Sequence, residues 1–126
     1  MSTDPYGDRV RKLFSRPRHA GCLDDGISVQ VDDQGVRICL CALADAGELQ
    51  ALRFRAWGCP HVIAACEAFC GAFEGRAVAE LLEFSADDLM NRLPVPVEKT
   101  GRILVLEDAV RALGTSLRDS AKTGMT

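Results

Sequence analysis

No stretch of this 126-residue chain comes near the ~18 consecutive apolar residues of a membrane span. Its opening, MSTDPYGDRVRKLF, lacks the apolar h-region of an export signal. A membrane protein is thereby excluded, and a cytoplasmic setting is expected. Excess positive charge is missing too: the net charge is −3, which argues against nucleic-acid phosphates as the main partner. The cluster Arg9, Arg11, Lys12, Arg16 and Arg18 is local, and reads as a solvated helix face or a dock for an acidic partner. There is no Ser/His/Asp arrangement, no Gly-rich phosphate loop, no CxxC pair, no internal repeat and no low-complexity segment. An autonomous enzyme is not expected. Without export, the six cysteines should be reduced thiols, metal ligands or core fillers.

What is present is enough for one core. At 48% hydrophobic and 26% charged residues, the chain reads as a single domain over 1–126 with a polar tail from about 115. Asp4-Pro5 suits a helix start, with Tyr6, Val10, Leu13 and Phe14 on one face and Arg16-Pro17 as its stop. Three strand-like runs follow, Ile27–Val31, Val36–Leu43 and Leu49–Trp57, separated by turn signals at 32–35 and 45–47. They read as an antiparallel meander with one buried face. Helical periodicity then covers His61–Phe73, Arg76–Phe84, Ala86–Arg92 (opened by Ser85-x-x-Asp88) and Arg102–Leu113. The expected fold is α+β: a three-stranded antiparallel sheet, one N-terminal helix, and three to four helices on one face.

The richest chemistry lies in Arg53 to Cys70, RFRAWGCPHVIAACEAFC. A strand meets a Gly-Cys-Pro corner that leads into a helix. Cys59 is expected at the helix mouth, where free backbone N–H groups and the positive dipole end favour a thiolate. Such a thiolate can bind metal or carry sulfur.

The order of elements and the words at their joints resemble the iron–sulfur cluster scaffold family, IscU and the N-terminal domain of NifU. The resemblance runs from about Tyr6 to Leu113. It is carried by Tyr6…Val10…Phe14-x-x-Pro17-Arg18-x-Ala20-Gly21, by Arg53-Phe54…Trp57-Gly58-Cys59, by Glu74-Gly75-Arg76, and by Leu106-Glu107-Asp108-Ala109. The family places three thiolates, with an assisting Asp and His, at one end of the sheet. Aligned on those words, only the middle cysteine is kept, as Cys59. Asp33-Gln34-Gly35 stands at the first cysteine position, Gly101-Arg102 at the His-Cys pair, and Val95-Pro96-Val97-Glu98-Lys99 at the chaperone-recognition motif. The resemblance implies iron or an iron–sulfur cluster as cargo and a cysteine desulfurase as partner.

The other cysteines are read mainly as structure. Cys66 and Cys70 share the apolar stripe of their helix and read as core. Cys39 and Cys41 share one strand face, a soft chelate by spacing, but counting from the turn at 45–47 puts Asp33 opposite Cys59 and Cys39 opposite about Arg53. That is some 20 Å from Cys59 at ~3.3 Å per residue, so they read as small residues on a sheet face. Cys22 reads as an exposed loop thiol. Groups expected near Cys59 are Asp33, with Asp32 as an alternative beside it, and His61, a borderline set suited to Zn or a single iron. Arg102, near the same point, would repel a metal and lower the thiol pKa of Cys59. Two roles follow. One is a scaffold holding iron or a labile cluster at Cys59, Asp33 and His61, with a homodimer as a source of further ligands. The alternative is a metal-free sulfur relay carrying a persulfide on Cys59 beside Arg102, or a non-catalytic regulator that binds the desulfurase.

Overall fold

The computed structural model describes residues 12, 13, 15, 17–58, 60–87, 89 and 100–124, with side chains over 101–120 in the last stretch. Three strands form one antiparallel sheet in the order β1 (Ile27–Asp33), β2 (Val36–Asp45), β3 (Glu48–Trp57). Helix α1 (Pro60–Phe73) follows, then the short α2 (Ala79–Leu82) and the long α3 (Thr100–Gly124). This is the α+β architecture expected. The N-terminal helix expected from Asp4 falls largely outside the described residues, of which Lys12, Leu13 and Ser15 are helical.

Both hairpins close through two residues. Asp33 pairs with Val36 around Gln34-Gly35, and Asp45 with Glu48 around Ala46-Gly47. In each loop both central residues have positive φ: Gln34 52° and Gly35 72°, Ala46 53° and Gly47 80°. That is the turn geometry whose twist matches the flanking strands, and glycine holds the second position without steric cost. The strands therefore run further into the turns than the sequence reading placed them. Past the second turn Ala44 pairs with Leu49 but Leu43 with Ala51, which leaves Gln50 as an extra residue. The tighter turn and this bulge shift the register, so Cys39 stands opposite Arg55 and not near Arg53 as counted.

β2 is central, and its alternation places Val36, Ile38, Leu40 and Ala42 in the core, where Leu49, Leu52 and Phe54 of β3 join them. Helices α1 and α3 cover this face with Val62, Ala65, Phe69, Ile103, Leu106, Val110 and Leu113. α1 opens on Pro60, which suits a first helical turn, and is apolar nearly all round, so it is buried on more than one side. Cys66 and Cys70 are fully buried there, as the apolar stripe indicated. Burial pushes both thiols well above their ordinary pKa, and neighbouring acidic groups add to the effect.

Two helical readings need correction. The segment read as a helix over Arg76–Phe84 is α-helical only at Ala79–Leu82, because the preceding backbone is used by β3 and the second hairpin. Leu49 N donates to Arg76 O at 2.8 Å, and Val78 N to Gly47 O at 2.8 Å. The polar tail expected from about 115 is helix as far as Gly124, with Leu117 buried at 6% exposure. Gly114 is not a helix stop: a Cβ there would lie 3.0 Å from Leu81 Cβ, so the missing side chain lets α3 pack against α2. The connector Leu93–Val97 and Asp88 lie outside the described residues, while the Ser85 hydroxyl accepts from Asp87 N at 3.3 Å as a cap would.

The outer edge of β3 is covered. Phe54 N donates to His19 O at 2.9 Å, Gly21 N to Phe54 O at 2.8 Å, and Leu52 N to Glu74 Oε2 at 2.9 Å. β1 has no strand neighbour on its far side among the described residues.

An aromatic trio closes the core behind α1. Phe69 lies 5.1 Å from Phe73 and 5.4 Å from Phe84, centroid to centroid, and is fully buried. Phe69→Ala should cost about 3–5 kcal/mol in urea unfolding, since both the transferred area and the cavity count against the fold.

Candidate functional site

The first β-turn, the end of β3 and the start of α3 meet at one end of the sheet. β1 delivers Asp33 to the Gln34-Gly35 turn, where its Oδ1 accepts Gln34 N at 2.8 Å. Gln34 Oε1 lies 3.8 Å from the position a Cβ on Gly101 would take, so the turn reaches the first turn of α3. Gly58, leaving β3, approaches so closely that a Cβ would stand 3.2 Å from Val36 Cγ2. A larger residue at Gly58 would push the chain away from the turn. Asp32, Asp33, Gly35, Val36, Arg37, Trp57 and Gly58 line an open recess at this end.

Of the residues singled out in the sequence, Asp33 is exposed at the recess and Arg102 is half-buried one residue beyond Gly101. Cys59, between Gly58 and Pro60, lies outside the described residues. His61 is buried at 3% exposure in the first turn of α1, so it is not the solvent-facing residue that was the plain alternative to a role. Among the described residues no group of three or more His, Cys, Asp and Glu is set to hold a metal ion. At the three joints the side chains are a carboxylate at 33, none at 101 and a guanidinium at 102. With Cys59 they make an incomplete donor set for a cluster, which is typically held by four ligands.

Sequence reasoning missed the polar groups around this end. Arg37 Nε bonds Asp32 Oδ1 at 2.7 Å, and its guanidinium lies 5.8 Å from the centroid of Trp57, which is 52% exposed. Hydrogen bonds from Arg37 and then Gln30 hold the Asp32 carboxyl below its ordinary pKa. A second polar group fixes the loop before β1. His19 N donates to Glu67 Oε1 at 2.8 Å, His19 Nδ1 bonds Glu67 Oε2, and Nε2 lies 3.3 Å from Glu74 Oε1. Arg53 Nη1 adds a 3.0 Å bond to Glu74 Oε2. The available signal was Glu67 itself, a charged residue inside the apolar repeat of α1.

This chain has the fold of a cluster-assembly scaffold domain. Residues 5–117 match the family described as NifU-like N terminal domain, and the chain belongs to that family. It is 24% identical over 130 residues to the iron-sulfur cluster assembly protein IscU of Plasmodium falciparum, covering 94% of this chain and 76% of that protein. The fold is similar to the crystal structure of a nitrogen-fixing NifU-like protein (N-terminal) from Brucella abortus, with TM-score 0.71 and 15% identity over 90% of this chain and 94% of that one. It is also similar to a putative iron-sulfur cluster assembly scaffold protein for the SUF system from Fervidobacterium islandicum, with TM-score 0.58 and 14% identity over 83% and 81%.

Glu74 supplies a pH test of the loop clamp. Burial raises its pKa, but the Leu52 amide, Arg53 and His19 outweigh that and hold it below the ordinary glutamate value of 4.5. A carboxylate depressed in the folded state stabilises fully above that ordinary value and loses the contribution as pH falls through the lower folded pKa. Glu74→Gln should therefore unfold more easily than the parent at pH 7, and the gap should close in urea melts as acid titration carries the pH below the ordinary value of 4.5 and through the lower folded pKa.

Proposed function

We propose that this protein serves iron–sulfur cluster assembly as a scaffold-type carrier, holding iron or a labile cluster at the Cys59 end of the sheet. The observation that carries the reading is the convergence of the Gln34-Gly35 turn, the Gly58–Pro60 joint and the first turn of α3, with 3.8 Å between Gln34 Oε1 and the Gly101 Cβ position. These are the joints at which the family places its ligands. Cys59 supplies the soft donor and Asp33 a hard one, with His61 two residues beyond Cys59. Zn would suit the same mixed set. An incomplete shell suits cargo that must leave. The remaining ligands would come from a second copy of this chain or from the receiving protein. A cysteine desulfurase is the expected sulfur source and the cytoplasm the setting. In this reading the chain is no enzyme, since it presents cargo without turning it over.

A second reading is favoured by Arg102. A guanidinium one residue into the third joint opposes a metal cation and suits an anionic sulfur. Cys59 would then accept a persulfide from the desulfurase and relay it without metal, or the chain would bind the desulfurase as a regulator.

Anaerobic incubation with ferrous iron, cysteine and a desulfurase separates these roles. The scaffold role gives visible charge-transfer bands that Cys59→Ala abolishes; a colourless protein overturns it. In the relay role, intact-mass analysis without iron shows one added sulfur atom on Cys59. Binding to the desulfurase that survives Cys59→Ala, with neither bands nor added sulfur in the parent, leaves the regulator.

A further inference from the structure

The outer face of the sheet carries thiol chemistry that the scaffold reading does not use. The alternation that sends Ile38, Leu40 and Ala42 inward projects Cys39 and Cys41 to the other side. Cys39 is half-buried and Cys41 is 6% exposed. Cys22, Ser28, Gln30, Cys39, Cys41 and Arg55 border one recess there. Cys39 donates its S–H to Gln30 Oε1 at 3.2 Å, and Arg55 Nη2 donates to the Cys22 sulfur at 3.4 Å. Across the ladder, Cys39 faces Arg55 and Cys41 faces Arg53.

This geometry disfavours disulfides. Two residues along one strand separate Cys39 and Cys41 by roughly 6.6 Å with parallel side chains, whereas a disulfide needs its β-carbons ~3.5–4.5 Å apart. Arg55 stands between Cys22 and Cys39, which puts that pair about two strand spacings apart, some 9.6 Å, beyond the ~7 Å limit between α-carbons. A bridging ion has a longer reach than an S–S bond. Two metal–sulfur bonds of ~2.3 Å span about 4.6 Å, a distance that tilting the two thiols toward each other supplies.

We propose that Cys39 and Cys41 form a two-thiolate site for a soft monovalent cation of the Cu(I) class, separate from the Cys59 end. Soft thiolates select Cu(I), and two of them satisfy it. A four-coordinate divalent ion is disfavoured because no group of three or more ligating side chains is set to hold a metal among the described residues. Binding releases two protons and moves no electrons: one Cu(I) and two thiols give a copper bis-thiolate of charge −1 and two protons to solvent. Arg55, directly across the ladder from Cys39, lies beside that negative charge, while the Arg53 guanidinium is held by Glu74. Burial, and then the neighbouring Cys41, keep the Cys39 thiol above its ordinary pKa, against the pull of Arg37 and Arg55. The proton is therefore a competitor, and copper retention should rise with pH. Cys22, on the far side of Arg55, is not a required ligand.

The test uses the full chain carrying Cys59→Ala, so that its outcome does not depend on the scaffold site. Under anaerobic conditions this protein should retain one Cu(I) per chain against bathocuproine disulfonate, with an ultraviolet thiolate-to-copper band. Adding Cys39→Ser should lower affinity by roughly two orders of magnitude, at or beyond the upper end of the ten- to hundredfold typical of outer-shell changes. Cys41→Ser should do the same; if its burial compromises folding, shown by circular dichroism, the half-buried Cys39 carries the comparison. Cys22→Ser should keep the copper. Copper binding unchanged by Cys39→Ser, copper lost with Cys22→Ser, or Zn(II) held as tightly by the same thiols would each overturn the assignment.

Discussion

The register of β2 is the constraint on which the rest depends. A strand has a side-chain period of two, so a slip of one residue would exchange its faces. Ile38, Leu40 and Ala42 would leave the core, and Cys39 and Cys41 would enter it. Two glycine-ended turns pin that register from both ends, and the bulge at Gln50 adjusts the third strand to it. With β2 fixed, the core has a flat apolar floor for α1 and α3, and the three joints of the candidate site fall at one end.

Much of this was legible because it is written in local patterns. Alternation gave the strands, the 3.6-residue repeat gave α1, and the Gly-Cys-Pro corner gave the joint where strand becomes helix. Long-range terms were not legible. The pairing of Cys39 with Arg55 depends on a bulge that no local signal marks. The truncation of the helix read from Arg76 depends on Leu49 and Gly47 taking its backbone groups. The continuation of α3 through Gly114 depends on Leu81 packing into the space a side chain would fill. Glycine in a helix reads as a stop when its neighbour across space is unknown.

The candidate site was legible through its three joints more than through its ligands. The turn at Asp33 and the first turn of α3 meet at the end of the sheet, close to where the chain leaves β3 at Gly58. Two of the joints carry groups that are poor in soft donors, and Arg102 brings a charge of the wrong sign for a cation. His61, read as a neighbour of Cys59, is turned into the protein. Among the described residues, a scaffold domain of iron–sulfur cluster assembly built this way contributes shape at that end and no ready-made group of metal ligands. Among the described cysteines, Cys39 and Cys41 lie on the far face of the sheet, Cys22 is exposed in the loop before β1, and the two fully buried ones, Cys66 and Cys70, are packing material.

The two borders of the sheet differ, and this limits how copies of the protein can associate. β3 has its outer hydrogen-bonding groups occupied by His19, Gly21, Glu74 and Arg76. Edge-to-edge growth of a fibre needs two open borders on every subunit. With β1 alone open among the described residues, strand addition can join two copies edge to edge about a two-fold axis and then has nowhere to continue.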